Sequence, residues 1–327
     1  MKRNIIIIVG LFFSLISCKT DVDLQPDYDW QVIYKGFFSW DLAVTSEQKL
    51  FVLDHYNSIR YSFNEGNIWN SSFVSVTDEI LYSFDIDESR ESNFAVGDDG
   101  VVYISHGEVT NYTYWYNIYL DKSINNIGIY SFESNIWIVG LNDSMSKVYH
   151  YDETWGTHKW NHTEIPYSGM IKVYFLNEQI GWVFGHDRLF FSENSGETWT
   201  IQIEDETKFF SSICFVNETN GWLSTTEGII YFTRNFGELW EEVYNNPEYA
   251  IRSIEFVNEE KGWAVGVKKN VQYDDLNGFI IYTMDGGKTW QESQFPVKAL
   301  YDVDFIDENT GYAMGEDYLI MTVNGGH

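Results

Sequence analysis

The phrase TMDGGKTW at 283–290 is one of a series. SENSGETW at 192–199, TRNFGELW at 233–240 and SFNEGNIW at 62–69 share its pattern, Ser/Thr-x-Asp/Asn-x-Gly-x-x-Trp. A second phrase is interleaved with it: FLNEQIGWVFG at 175–185, FVNETNGWLS at 215–224, FVNEEKGWAVG at 256–266 and FIDENTGYAMG at 305–315. Self-similarity at a fixed period restricts a chain to solenoids, propellers and arrays, because each unit leaves an apolar face that only its neighbours can cover. Within each unit Val, Ile, Phe, Tyr and Trp alternate between Gly, Asn and Asp turn signals, with no stripe of period 3.6. Each unit therefore reads as an antiparallel meander of about four strands.

The closing Trp of each phrase counts the units. Trp69, Trp115, Trp160, Trp199, Trp240 and Trp290 stand 46, 45, 39, 41 and 50 residues apart, close to the ~40–45 of a propeller blade. Trp30 in DYDWQVIY precedes Trp69 by 39 residues and reads as a last strand with no earlier strands before it, while LIMTVNGGH at 319–327 lacks the last strand that should follow. The two ends complete each other, which removes the exposed strand edges of an open array. The expectation is an all-β, seven-bladed β-propeller over residues 29–327, closed by an N-terminal strand completing the last blade. The units around Trp115 and Trp160 depart from the pattern, and in the second the marker is either Trp155 or Trp160.

The phrase itself is a hairpin instruction. Asn64, Asn194, Asn235, Asp285 and Asn324 can accept hydrogen bonds from the turn's own backbone, and Gly66, Gly196, Gly237, Gly287 and Gly326 supply positive φ. Ser62, Ser192, Thr233, Thr283 and Thr322 add a local hydroxyl bond. The Trp (Trp69, Trp199, Trp240, Trp290) buries a large ring where the outer strand begins and is expected to wedge one blade against the next.

These residues resemble the Asp-box, or bacterial neuraminidase repeat. The paired phrases are similar, more particularly, to the photosystem II stability/assembly factor family of seven-bladed propellers, over about 170–327. That resemblance implies a role as an assembly or scaffold factor that binds a protein partner. A shared fold does not fix an activity, so the role class is carried over and the target is not.

Ahead of the repeats, Lys2 and Arg3 precede an apolar run from Ile5 to Ile16 that ends in Leu15-Ile16-Ser17-Cys18. The run is shorter than the ~20 apolar residues of a membrane span. Leu-Ile-Ser-Cys resembles the lipobox of bacterial lipoproteins. It implies a signal peptide at 1–17, lipidation of Cys18 and a lipid-anchored linker at 18–28. Lys19 is not the Asp that retains lipoproteins at the inner membrane, which favours an outer-membrane address on its periplasmic or surface face. Cys214, the other cysteine, lies in the apolar stretch SSICFV and reads as a buried strand residue.

Charge narrows the partners. With 20 Lys+Arg against 49 Asp+Glu, a formal net charge of -29, the surface repels phosphate backbones, which argues against nucleic acid. A sialidase-like site would need three clamping arginines and an early Phe-Arg-Ile-Pro stretch. After the signal, only Arg60, Arg90, Arg188, Arg234 and Arg252 remain, and no such stretch occurs. His150, Asp152, His158 and His162 crowd one unit on turn and edge-strand positions where their spacing does not converge on a metal. DIDES at 85–89 has Arg90 where a Ca²⁺ loop needs Gly. No cofactor, metal or catalytic residue is assigned.

What remains is the face opposite the turns. Its loops carry Lys172, Lys208, Phe209, Phe210, Tyr249, Arg252, Lys298 and Tyr301, joined by His186, Asp187 and Arg188 and by Lys268 and Lys269 in a long loop. Lys172, Arg188, Phe210, Arg252, Lys268, Lys269 and Tyr301 are the candidate binding residues, since long loops on a rigid repeat scaffold concentrate recognition. The alternative function is a glycan-binding or glycan-cleaving surface lipoprotein. A facing carboxylate pair would favour cleavage, and a basic rim would favour binding of a protein.

Overall fold

The computed structural model describes residues 29–36, 39–45, 47–75, 79–87, 92–133, 135–152, 159–270 and 276–327. The expected signal peptide, Cys18, the linker, Arg90, Trp155 and His158 lie outside them. The described residues form strands and contain no α-helix, only a short 3-10 turn at Asp98–Gly100.

After β1 (Gln31–Lys35) the chain makes three four-stranded meanders. They are β2 (Ser39–Val44), β3 (Leu50–Asp54), β4 (Ser58–Ser62) and β5 (Asn70–Phe73); β6 (Leu81–Asp87), β7 (Ser92–Gly97), β8 (Val101–His106) and β9 (Tyr116–Tyr119); and β10 (Asn125–Phe132), β11 (Asn135–Leu141), β12 (Ser146–Asp152) and β13 (Trp160–Ile165). A six-stranded sheet follows, of β14 (Met170–Phe175), β15 (Gly181–Ser192), β16 (Thr200–Phe215), β17 (Gly221–Thr225), β18 (Ile229–Thr233) and β19 (Glu241–Asn245). The next sheet holds β20 (Tyr249–Phe256), β21 (Gly262–Lys268), β22 (Gly278–Thr283) and β23 (Gln291–Glu292). The last has the order β1-β26-β25-β24, from β24 (Leu300–Phe305), β25 (Gly311–Gly315) and β26 (Tyr318–Thr322).

The count of seven is corrected by this topology. Counted as hydrogen-bonded sheets the propeller has six blades, one of them six-stranded. The two repeats marked by Trp199 and Trp240 share a sheet because β16 runs unbroken from Thr200 to Phe215, through a stretch that contains neither Gly nor Pro. Its pairing with β15 continues across the junction as His186 opposite Phe209. Tryptophans count sequence repeats; they do not count sheets.

The closure is as expected from the two chain ends. Gln31 pairs with Met321, Val32 with Ile320, Tyr34 with Leu319 and Lys35 with Tyr318. Around the axis, β2, β6, β10, β14, β16, β20 and β24 touch in succession, and β24 meets β2 again. The ring leaves no open end.

Both phrases act through aromatic packing between neighbouring repeats. Trp137 of β11 stacks on Phe175 of β14 at 3.7 Å, Trp182 on Phe215 at 4.8 Å, Trp222 on Phe256 at 3.6 Å and Trp263 on Phe305 at 3.5 Å. The glycine of Gly-Trp is dictated by the same Phe. A Cβ at Gly181 would stand 2.4 Å from the Phe175 ring, and one at Gly311 2.4 Å from Phe305. The closing tryptophans lie between neighbouring repeats: Trp69 packs among Tyr34, Tyr312 and Leu319 of the last sheet, Trp199 beside Trp137 and Val139 of β11, and Trp290 beside Trp222. Trp199, Trp240 and Trp290 meet the Phe of their own repeat edge-on, at 6.0, 5.9 and 5.8 Å from Phe175, Phe215 and Phe256. The second-strand Trp of the preceding repeat, Trp137, Trp182 or Trp222, meets the other side of the same contact, face to face on that Phe. Trp30 takes the closing position against Phe305, edge-on at 5.9 Å, so the N-terminal segment completes the last sheet in its side chains as well as its backbone.

The turns carry the expected hydrogen bonds. The Gly66, Gly196, Gly237 and Gly287 amides donate to Ser62, Ser192, Thr233 and Thr283 at 2.9, 2.9, 3.0 and 2.9 Å. Asn64, Asn194, Asn235 and Asp285 accept from the amide four residues on at 2.8 to 3.1 Å. Asn324 departs from this by accepting from Gly326 and donating to Asp29, which ties the two chain ends again.

Candidate binding site at the channel mouth

Each innermost strand is bulged at its start. The bulges fall between Ser39 and Asp41, Leu81 and Ser83, Asn126 and Gly128, Met170 and Lys172, Phe210 and Ser212, Ile251 and Ser253, and Leu300 and Asp302. At five of the seven a glycine stands opposite on the second strand, Gly97, Gly140, Gly185, Gly266 and Gly315, and lets the lead-in backbone lie flush. A Cβ at Gly185 would meet the Gly169 carbonyl at 2.2 Å, and one at Gly315 the Ala299 carbonyl at 1.9 Å. A bulge re-aims side chains, and because these strands run parallel around the axis, the bulged residues gather at one end of the channel. There a cavity of about 370 Å³ opens, lined among others by Asp41, Tyr82, Ser83, Tyr130, Lys172 and Tyr174.

Below the rim the channel is acidic, and its carboxylates have a structural task. The inner edge of a sheet presents backbone N–H groups with no strand to receive them, and at β2, β6 and β10 a carboxylate of the preceding inner strand accepts them instead. Asp41 accepts from the Phe84 amide at 3.0 Å and the Ser83 hydroxyl at 2.7 Å. Asp85 accepts from Ser131 N at 2.6 Å. Asp302 accepts from Leu42 N at 3.3 Å and Ser253 Oγ at 2.8 Å, and Asp304 from Val44 N at 3.0 Å.

Concentrating carboxylates here shifts their titration. Burial pushes Asp302 up to about 6 against the pull of the Lys172 charge, and burial with the neighbouring Asp302 pushes Asp304 up to about 7. Glu255 of β20 is raised well above the ordinary carboxylate range, first by burial and then by Asp304 and Asp302. Burial raises the Tyr130 and Tyr174 hydroxyls and the Cys214 thiol as well. A thiol so raised is a poor nucleophile.

The candidate binding residues separate into two groups. Arg252 and Tyr301 are the bulged residues of β20 and β24, and Lys172 follows the bulged Ile171 of β14 and lines the cavity; both cations are exposed and neither is in an ion pair among the described residues. The others are committed elsewhere. Phe210 is fully buried and belongs to the core, because β16 continues through the stretch read as a loop. Arg188 is held by Asp187 at 2.5 Å and Glu204 at 2.6 Å, with its guanidinium 4.1 Å from the Tyr167 ring centre. Lys268 pairs with Glu292 at 2.5 Å. Lys269 borders 271–275, outside the described residues.

The inner-strand acids Asp41, Asp302, Asp304 and Glu255 were not among the sequence candidates. The available signal was the alternation Asp302-x-Asp304 on a strand otherwise apolar. Asp302 and Asp304 stand on one strand and are both tied to β2, so they do not face each other across a groove. His150 stacks on Trp137 at 4.9 Å and meets Asn135 Oδ1 at 2.7 Å.

The fold and the mouth define a closed all-β propeller with a polar channel. No family model and no curated protein matches the chain. Solved structures do. YCF48 from Cyanidioschyzon merolae superposes with a TM-score of 0.67 at 14% identity, covering 90% of this chain and 98% of its own. YCF48 bound to D1 peptide gives 0.69 at 14%, covering 91% and 98%. Virginiamycin B lyase from Staphylococcus aureus gives 0.70 at 13%, covering 90% and 98%. At such identities the likeness is one of fold, and it spans a lyase and a peptide binder alike.

Proposed function

We propose that the protein is a non-catalytic Asp-box propeller of the bacterial envelope, lipid-anchored at the outer membrane through Cys18, that binds an acidic segment of a protein partner and serves as an assembly or scaffold factor. The observation that carries this reading is the register of the rim. In a chain of net charge -29, the two exposed cations Lys172 and Arg252 stand with Tyr301 at the bulged starts of the inner strands β14, β20 and β24, at the same end as the channel cavity that Lys172 lines. Exposed cations on an acidic protein select acidic partners and repel basic ones. YCF48 bound to D1 peptide supports the role class, as a propeller of the same fold that takes a peptide. The carboxylates beneath the rim support binding over glycan cleavage, since backbone amides of the next sheet occupy them.

The test is affinity capture of the lipidated protein from its native membranes, in parallel with Lys172→Glu/Arg252→Glu, followed by mass spectrometry. The wild type is expected to retain a reproducible protein partner that the doubly reversed variant loses. Capture of no reproducible partner, or equal capture by the variant, would overturn the reading.

A further inference from the structure

A second pocket, of about 490 Å³, shares no lining residue with the channel cavity. It lies on the sheet of β2 to β5 and is lined by Asp54, Tyr56, Ser58, Arg60, Ser71 and Phe73 among others. Ser58 is paired across the strands with Phe73 and Arg60 with Ser71, so these four side chains share one sheet face. Arg60 is out of keeping with the repeat. It stands two residues before Ser62, where the equivalent positions before Ser192, Thr233, Thr283 and Thr322 are Phe190, Tyr231, Ile281 and Ile320. The architecture therefore does not require a cation at this position.

The chemistry of the pocket is that of a neutral polyol site. Arg60 gives Nε to Asp54 Oδ2 at 2.8 Å and Nη1 to the Tyr34 hydroxyl at 2.8 Å. Its Nη2 and the Ser71 hydroxyl make no hydrogen bond among the described residues. Asp54, 2% exposed, cancels the Arg60 charge, so the floor offers hydrogen bonds without net attraction for an anion, on a protein that repels anions overall. The walls are aromatic: Phe73 is 67% exposed and Tyr56 65%, with the His55 ring tilted against Tyr56 at 3.7 Å. Exposed rings beside a hydrogen-bonding floor suit a ligand with apolar C–H faces and an equator of hydroxyls, and the volume falls within the roughly 300–1,000 Å³ of small-ligand sites.

We propose that this pocket binds one or two rings of a neutral saccharide, stacked on Phe73 and Tyr56 and hydrogen-bonded by Arg60 and Ser71. This site is separate from the partner-binding rim, so either can fail alone.

The test is saturation-transfer NMR of the full-length chain with cellobiose, maltose and N,N′-diacetylchitobiose, each to about 10 mM, with acetate as an anionic control. At least one disaccharide is expected to show saturable transfer, weakened about tenfold or more by Phe73→Ala and by Tyr56→Ala. Both side chains are solvent-exposed, and circular dichroism checks that the variants fold. No saturable transfer from any of the three sugars, transfer unchanged in both variants, or displacement of the sugar by acetate would overturn the proposal.

Discussion

Asp304 shows how one side chain can hold the ring together and yet oppose its stability. Its carboxylate receives the Val44 amide of the neighbouring sheet, but burial and Asp302 raise it to about 7, and Asp302 itself stands at about 6. A carboxylate whose folded pKa is raised above its unfolded value contributes stability below that unfolded value, near 4, and loses it as pH rises through the folded one. Asp121, held down to about 2 chiefly by Lys147, stays ionised throughout that range and does not mask the effect. The melting temperature is therefore expected to fall between about pH 5.5 and pH 8. Asp304→Asn keeps an acceptor for Val44 while removing the titration, so it should raise the pH 8 melting point, on the order of 1 kcal/mol, and flatten the slope. A wild-type melting temperature that rises over this interval would contradict the assignment. At this scale the turns were legible in the sequence, because Ser/Thr-x-Asn/Asp-x-Gly is local chemistry that needs no partner. The inner-strand acids were not, because 49 acidic residues hide Asp41, Asp302, Asp304 and Glu255, and only ring closure shows which strand edge lines the channel. Phe210 was misread for a related reason: a hydrophobic residue after a charged stretch looks like a loop tip until the strand through it is seen.

Among the elements, the recurring unit is a cluster of three rings. The Trp of one repeat stacks on the Phe of the next, and the closing Trp meets that Phe edge-on. Trp222, Phe256 and Trp290 form one such cluster, and Trp263, Phe305 and Trp30 form the last. Because Trp30 is 2% exposed despite its place near the start of the chain, Trp30→Ala should cost about 3–5 kcal/mol in denaturant unfolding, as much as Trp263→Ala. A loss below about 1 kcal/mol would mean that the N-terminal segment does not complete the last sheet. The phrases Phe-x-Asn/Asp-Glu-x-x-Gly-Trp/Tyr were readable as repeats, but their purpose was not, since the Phe lying over the Gly and under the neighbour's Trp is a contact between units. The number of sheets escaped the sequence for the same reason. Nothing local distinguishes Thr200–Phe215, one strand of 16 residues, from two shorter strands joined by an acidic link.

For the whole molecule, closure is what converts a row of meanders into a rigid frame with one defined mouth. Between its ends the ring is joined by connected chain; at β1 and β26 it is joined by hydrogen bonds and by Trp30 and Asn324. The rim cations, the acidic channel and the aromatic pocket beside β1 all take their places from that seam. Hydrogen exchange read by mass spectrometry tests it directly, because unpaired terminal segments exchange at once whereas core strands open only with the whole fold. Peptides covering Gln31–Lys35 and Tyr318–Thr322 are predicted to be protected to the same degree as the central strands and to lose protection together as denaturant is added. Rapid exchange of Gln31–Lys35 beside a protected Tyr318–Thr322 would show the ring open and contradict the account.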